Sequence, residues 1–297
     1  MKCCLSSIYI RLCKLIMNYD ENSSLSFCAQ YVKNHSYDHF LCNIYVPIKY
    51  RESIFRLLAF YLELSRCLKI SSSWSIAGPM AGLIRLQWWR EFIEGKDRPH
   101  ELAPFIKEEL DRGTVRNDLL LSIIEAFEEE LEGIADWHQW HSIMTRTRGQ
   151  IHTIIASILK VENTRQLEAL STLAIACELV FRARYLHQCI QNGGRFFPKS
   201  FASRYLFQKS NEFNDHLNDK IFKEMRNILI QKAFIYFNSG SKICNLKQSQ
   251  ISLLLPSLLA KRDLKRIKYW TNLPVQRGFG DQIALLIAFM KHKILAH

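Results

Sequence analysis

Glu63, Ser65, Arg66 and Lys69 stand toward the end of the largely apolar stretch FRLLAFYLELSRCLK, residues 55–69. Arg offers a planar fork and Lys a point charge to phosphate oxygens, so this helix end suits an anionic ligand rather than a cation. Glu63 is its one acid; it could tune a pocket or pair with Arg66 at i+3, and the ion pair is the favoured reading. HSYDH places His35 and His39 at i, i+4 beside Asp38, a spacing that can bind zinc, but no third ligand or general base stands at a fitting position. His138 and His141 of WHQWH read as packing and capping. Phe60, Tyr61, Trp88, Trp89 and Tyr185 could line an apolar cavity, although ordinary core is the simpler account.

The elements that position these groups follow from composition. The chain has 297 residues, 48% of them hydrophobic, with 11 Gly and 7 Pro. That is enough for a sizeable core and too little turn material for an all-β fold. Nine scattered cysteines without a CxxC pair indicate reduced structural thiols, not a zinc site. The net charge is +12. From Lys199 onward 17 Lys or Arg face 6 Asp or Glu, whereas residues 91–136 hold 14 acids and 5 bases, which predicts a basic and an acidic face. The basic C-terminal third suits an anionic membrane surface or a diphosphate ligand. Nucleic acid is a poor fit, because no recognition motif accompanies the run KRDLKRIKYW, residues 261–270.

No apolar run reaches the ~18 residues of a spanning helix. Residues 1–20 read as a flexible tail, similar to an amphipathic presequence or to a disordered N-terminus, and 21–297 as one helical domain. Helical periodicity covers 24–43, 50–70, 80–95, a short segment within 98–113, 115–134, 137–161, 164–190, 219–237, 247–259, 261–270 and 281–295. Residues 71–79 read as a loop. Ser24 or Ser26 could cap the first helix, and Gly95 could end the one before it in the pattern 80–95. The segment 164–190 is apolar almost all round and belongs at the centre. Of the adjacent Trp88 and Trp89, only one can face inward.

The succession FCAQYVKNHSYDHFLCNIYVP, YRESIFRLLAFYLEL, IRLQWWREFIEG and RARYLHQCIQNGGRFFP resembles the squalene/phytoene synthase family. The resemblance implies an all-α isoprenoid synthase fold, with antiparallel helices around a central apolar cavity for prenyl chains. Catalytic members join two prenyl diphosphates and hold Mg²⁺ on two aspartate clusters, xxDDxxD after AFCR and RDxxxD ahead of GRxYLP. Magnesium demands oxygen ligands and neutralises the departing diphosphate. In this chain the first cluster falls on Ser65, Arg66 and Lys69, and the second on Tyr185 and Cys189 after Arg184. The carboxylates are gone, and cations in their place repel Mg²⁺.

This departure is similar to a divergent branch of the family that includes the mitochondrial complex I assembly factor and α-proteobacterial relatives. The resemblance then implies a non-catalytic protein that binds an isoprenoid or lipid, assists respiratory complex I assembly, or both. No cofactor is expected. Respiratory subunits are candidate partners, and the location is the cytoplasm, peripheral at the inner membrane, or a mitochondrial matrix. The alternative is a prenyltransferase with Mg²⁺ on relocated acids between Glu128 and Asp136. Arg66, Lys69 and Arg184 could hold diphosphate without metal, or pair with Glu63 and the acids of 128–136.

Overall fold

The computed structural model describes residues 25–70, 77–191, 197–206, 215–241, 246–266 and 277–295. The predicted tail, most of the 71–79 loop and the end of the 261–270 run lie outside them. Described residues form helices joined by short turns. They are α1 (Phe27–His35), α2 (Tyr37–Asn43), α3 (Ile48–Ile70), α4 (Ala77–Ile93), α5 (Ala103–Asp111), α6 (Asn117–Glu132) and α7 (Trp137–Met144). A π-helical turn (Thr145–Gly149) leads into α8 (Gln150–Ile158), followed by α9 (Thr164–Arg184), α10 (Leu186–Gln191), α11 (Lys199–Leu206) and α12 (Asp215–Gly240). A 3₁₀ segment (Gln248–Leu254), α13 (Leu255–Lys265) and α14 (Phe279–Leu295) complete the chain. No described helix is long and apolar enough to cross a membrane.

Local chemistry sets several boundaries. Ser26 caps α1 by accepting from the Ala29 amide at 3.1 Å. The predicted 24–43 helix is instead two helices, because Ser36 turns extended (φ −154°) and starts a new helix axis. Gly95 follows α4 at φ +97°, a conformation that glycine adopts without strain. The predicted 137–161 helix contains the π turn at TRTRG. There the Thr145 and Thr147 hydroxyls donate to the carbonyls of His141 and Ile143, four residues back, at 2.9 and 2.8 Å. Such back-bonding competes with the α-helical ladder. The predicted 247–259 and 261–270 helices are one 3₁₀ turn running into α13, with Pro256 in the first turn, where its missing N–H is harmless.

Helix α9 is central, packing on α12, α13, α8 and the π turn. One core joins α1 to α6 with α8, α13 and α14; a second joins α7, α9, α11 and α12. The close α9–α12 approach depends on Gly240, where a Cβ would sit 2.9 Å from Leu173 Cγ and 3.0 Å from the Ala169 carbonyl. Gly240→Ala is therefore expected to cost about 1–3 kcal/mol of stability by overpacking. A lower denaturant midpoint at unchanged slope checks it.

Candidate functional site

The predicted anion-binding helix end is built around Glu63, which is 1% exposed on α3. A buried carboxylate must be paired and hydrogen-bonded, and four elements supply partners. Tyr31 of α1 donates a short hydrogen bond to Glu63 Oε2. Arg66 donates through Nη1 to the same oxygen and to the Tyr31 hydroxyl, both at 3.0 Å. Arg85 of α4 reaches Oε1 at 3.2 Å, and His100 Nε2 lies 3.7 Å from it. Burial pushes the His100 imidazole below its ordinary range, although Glu63 opposes this. Burial, then the bond to Glu63, pushes the Tyr31 phenol up.

Arg66 and Arg85 each leave 40% of the side chain exposed. One buried carboxylate thus holds two outward-reaching guanidiniums, and the i+3 ion pair read from the sequence is present. Ser65 donates back to the Tyr61 carbonyl at 2.9 Å. Lys69 is on α3, with its side chain outside the described residues.

Arg184 does not join this group. It is buried, and its Nη1 donates to Asp263 of α13 at 3.0 Å. The same carboxylate receives Arg277, at 2.6 and 2.8 Å, and Arg277 also grips Asp38 of α2 at 2.7 and 2.6 Å. The expected pairing of Arg184 with Glu63 or the 128–136 acids is thereby corrected: Asp263 is its carboxylate. Tyr185 is half-buried, its ring 4.7 Å from Phe181 and 5.2 Å from the Arg184 guanidinium. Cys189 packs against the second core.

Three acids of 128–136 face arginines. Glu128 accepts from Arg90 at 2.5 Å, and Glu129 is bonded to Arg146. Glu130, fully buried, receives Arg148 at 3.0 Å and Arg182 at 2.7 Å; Glu178 joins the same two at 3.4 and 2.7 Å. Asp136 caps α7. Arg148 also stands over the Tyr61 and Phe127 rings, 5.9 and 5.4 Å from their centres. Sequence reasoning missed Arg148, Arg182 and Glu178; the Glu178–Arg182 spacing at i, i+4 was the available signal.

The aromatic candidates divide. Phe60, Tyr61 and Trp89 are core, with Phe60 and Trp89 in an edge-to-face pair at 5.1 Å. Trp88 is half-buried, stacked on Phe92 and tilted against His100. One tryptophan faces inward and the other does not, as their adjacency requires. His35 and His39 do not share a helix face, since Ser36 separates their helices: His35 Nδ1 contacts the Tyr31 carbonyl and His39 Nδ1 contacts Ser36 Oγ. His141 pairs with the Tyr236 hydroxyl at 2.9 Å.

The family model for squalene/phytoene synthase matches residues 32–277. The chain belongs to the squalene/phytoene synthase family. A dehydrosqualene synthase crystal structure superposes with a TM-score of 0.63 over 91% of this chain and 96% of that one, at 12% identity. The fold is therefore the all-α isoprenoid synthase fold. Among curated proteins, the chain is similar to NADH dehydrogenase (ubiquinone) complex I, assembly factor 6, of Homo sapiens and Bos taurus. Each match is 26% identical over 110 residues, 36% of this chain, and spans about a third of the relative's own length, 32%.

Members of the squalene/phytoene synthase family that use Mg²⁺ need clustered carboxylates, and the residues here do not fit that ion. Ser65 is turned back to its own helix, Arg66 is a cation on Glu63, and Tyr185 and Cys189 replace acids. Among the described residues no group of three or more His, Cys, Asp or Glu could hold a metal. The arrangement can instead present positive charge, through Arg66 and Arg85.

Proposed function

We propose that this protein is a squalene/phytoene synthase relative that serves as a non-catalytic accessory in respiratory complex I assembly, with an isoprenoid or lipid as its ligand. The observation that carries this reading is Arg66. It takes the place of a metal-binding aspartate and is held there by Glu63 and Tyr31, with Arg85 a second cation on the same carboxylate. A guanidinium fixed at that point opposes Mg²⁺ and favours a ligand that is itself anionic. The similarity to complex I assembly factor 6 supports the accessory role, across the third of that protein it spans. By the same reading the protein acts beside the membrane that houses complex I.

Purified protein incubated with farnesyl or geranylgeranyl diphosphate and Mg²⁺ is expected to release no diphosphate above background. Chelator-sensitive release at enzymatic rates would overturn the non-catalytic reading and restore prenyl transfer. Complex I activity that is unchanged after deletion of the gene would remove the assembly role.

A further inference from the structure

We propose that α13 and α14 form a docking surface for an anionic lipid bilayer, with α14 lying along the headgroups. From Lys261 to the end the sequence has eight Lys or Arg and two acids, Asp263 and Asp281. Both acids are buried, at 5% and 1% exposure. Asp263 is taken by Arg184 and Arg277, and Asp281 by Arg262 and Arg266 at 2.8 and 3.1 Å. Asp38, which reaches this end from α2, is held by Arg277. The Asp263 and Asp281 carboxylates are thus directed inward, and the partly exposed Asp38 is neutralised by Arg277, whereas Lys265, Arg266 and Lys291 are exposed, as is Lys261 over the Phe237 ring of α12. What this end shows to solvent is positive.

The second observation is the apolarity of α14. Its inward side is defined by Asp281, Leu285 and Leu286, with Phe289 5.2 Å from Tyr45. Helical spacing puts Gly280, Ile283, Ala284, Ile287 and Lys291 on the opposite side. Ile287 is 49% exposed there. Gly280 and Lys291 are also exposed. A helix with isoleucines outward and a lysine at its end, beside exposed cations on α13, matches an interfacial helix on anionic lipid. Each basic residue near such a surface strengthens binding about fivefold.

This inference deepens the accessory reading by naming the surface at which a membrane-proximal role is played, and it fails separately from the diphosphate and complex I measurements. The test is co-sedimentation of the full chain with phosphatidylcholine vesicles and with an equimolar phosphatidylcholine–phosphatidylglycerol mixture. Binding to the mixture alone is expected, weakened by salt. Ile287→Ser and Lys291→Glu should each weaken it by about fivefold or more, with circular dichroism unchanged. Lys223→Glu, on the exposed side of α12, should leave it as it was. Absence of binding, equal binding to both vesicle types, or an equal loss in the Lys223 variant would overturn the assignment.

Discussion

Glu130→Ala is expected to lower the unfolding free energy by about 3–5 kcal/mol, since it leaves buried guanidiniums without their shared carboxylate. Glu130 is fully buried and Arg182 is 3% exposed, so water cannot take over the lost contacts. Arg148 and Arg182 would then share Glu178 alone, two cations on one anion at 3.4 and 2.7 Å. The paired replacement Glu130→Leu/Arg182→Leu removes one charge of each sign and leaves Arg148 matched with Glu178. It should therefore be less destabilised than Glu130→Ala, although it loses more polar contacts. Thermal or urea unfolding of both variants checks the order. A single variant that is as stable as the parent would mean that the quartet is not paired in solution.

The same quartet sets a pH dependence. Burial alone would raise the Glu178 carboxyl, but Arg148 and Arg182 outweigh it and hold the acid at about 2, against an ordinary value of 4.5. A carboxylate depressed in the fold contributes fully above its unfolded pKa. Its stabilisation is complete above about pH 4.5 and is lost as pH falls toward about 2. Acid unfolding of the parent should be steeper across that window than that of the paired leucine variant.

What could be read from the residues alone depended on range. Periodicity identified most helices and the central place of 164–190, because burial of an apolar stripe is repeated every turn. Glu63 with Arg66 was legible for the same reason, being neighbours on one helix face. The break at Ser36 was not, since a single extended serine leaves the apolar pattern on either side intact. Nor was the π turn, which shifts register by one residue in a sequence that still alternates suitably. Arg184 was misassigned because its partner is 79 residues away, and no local spacing encodes which of several acids a folded chain brings to it. The Arg85 contribution to the Glu63 site has the same origin: α3 and α4 had to be packed before Arg85 could be seen to share that carboxylate.

Asp263→Ala should be the second large loss, again about 3–5 kcal/mol, and it distinguishes a structural Arg184 from a ligand-binding one. Asp263 is the anion shared by Arg184 and Arg277, whose side chains are 6% and 5% exposed. Arg277 in turn closes onto Asp38 across 239 residues of sequence, so this cluster ties the N-terminal helices to α13 and α14. Alanine would leave an anion-sized gap between two buried guanidiniums. Inorganic phosphate is then expected to raise the melting temperature of Asp263→Ala by mass action, with little effect on the parent, whose carboxylate already fills the place. If Arg184 were instead a free ligand-binding group, phosphate would stabilise the parent as much as the variant. The contrast between the two melting shifts separates these roles without knowledge of any natural ligand.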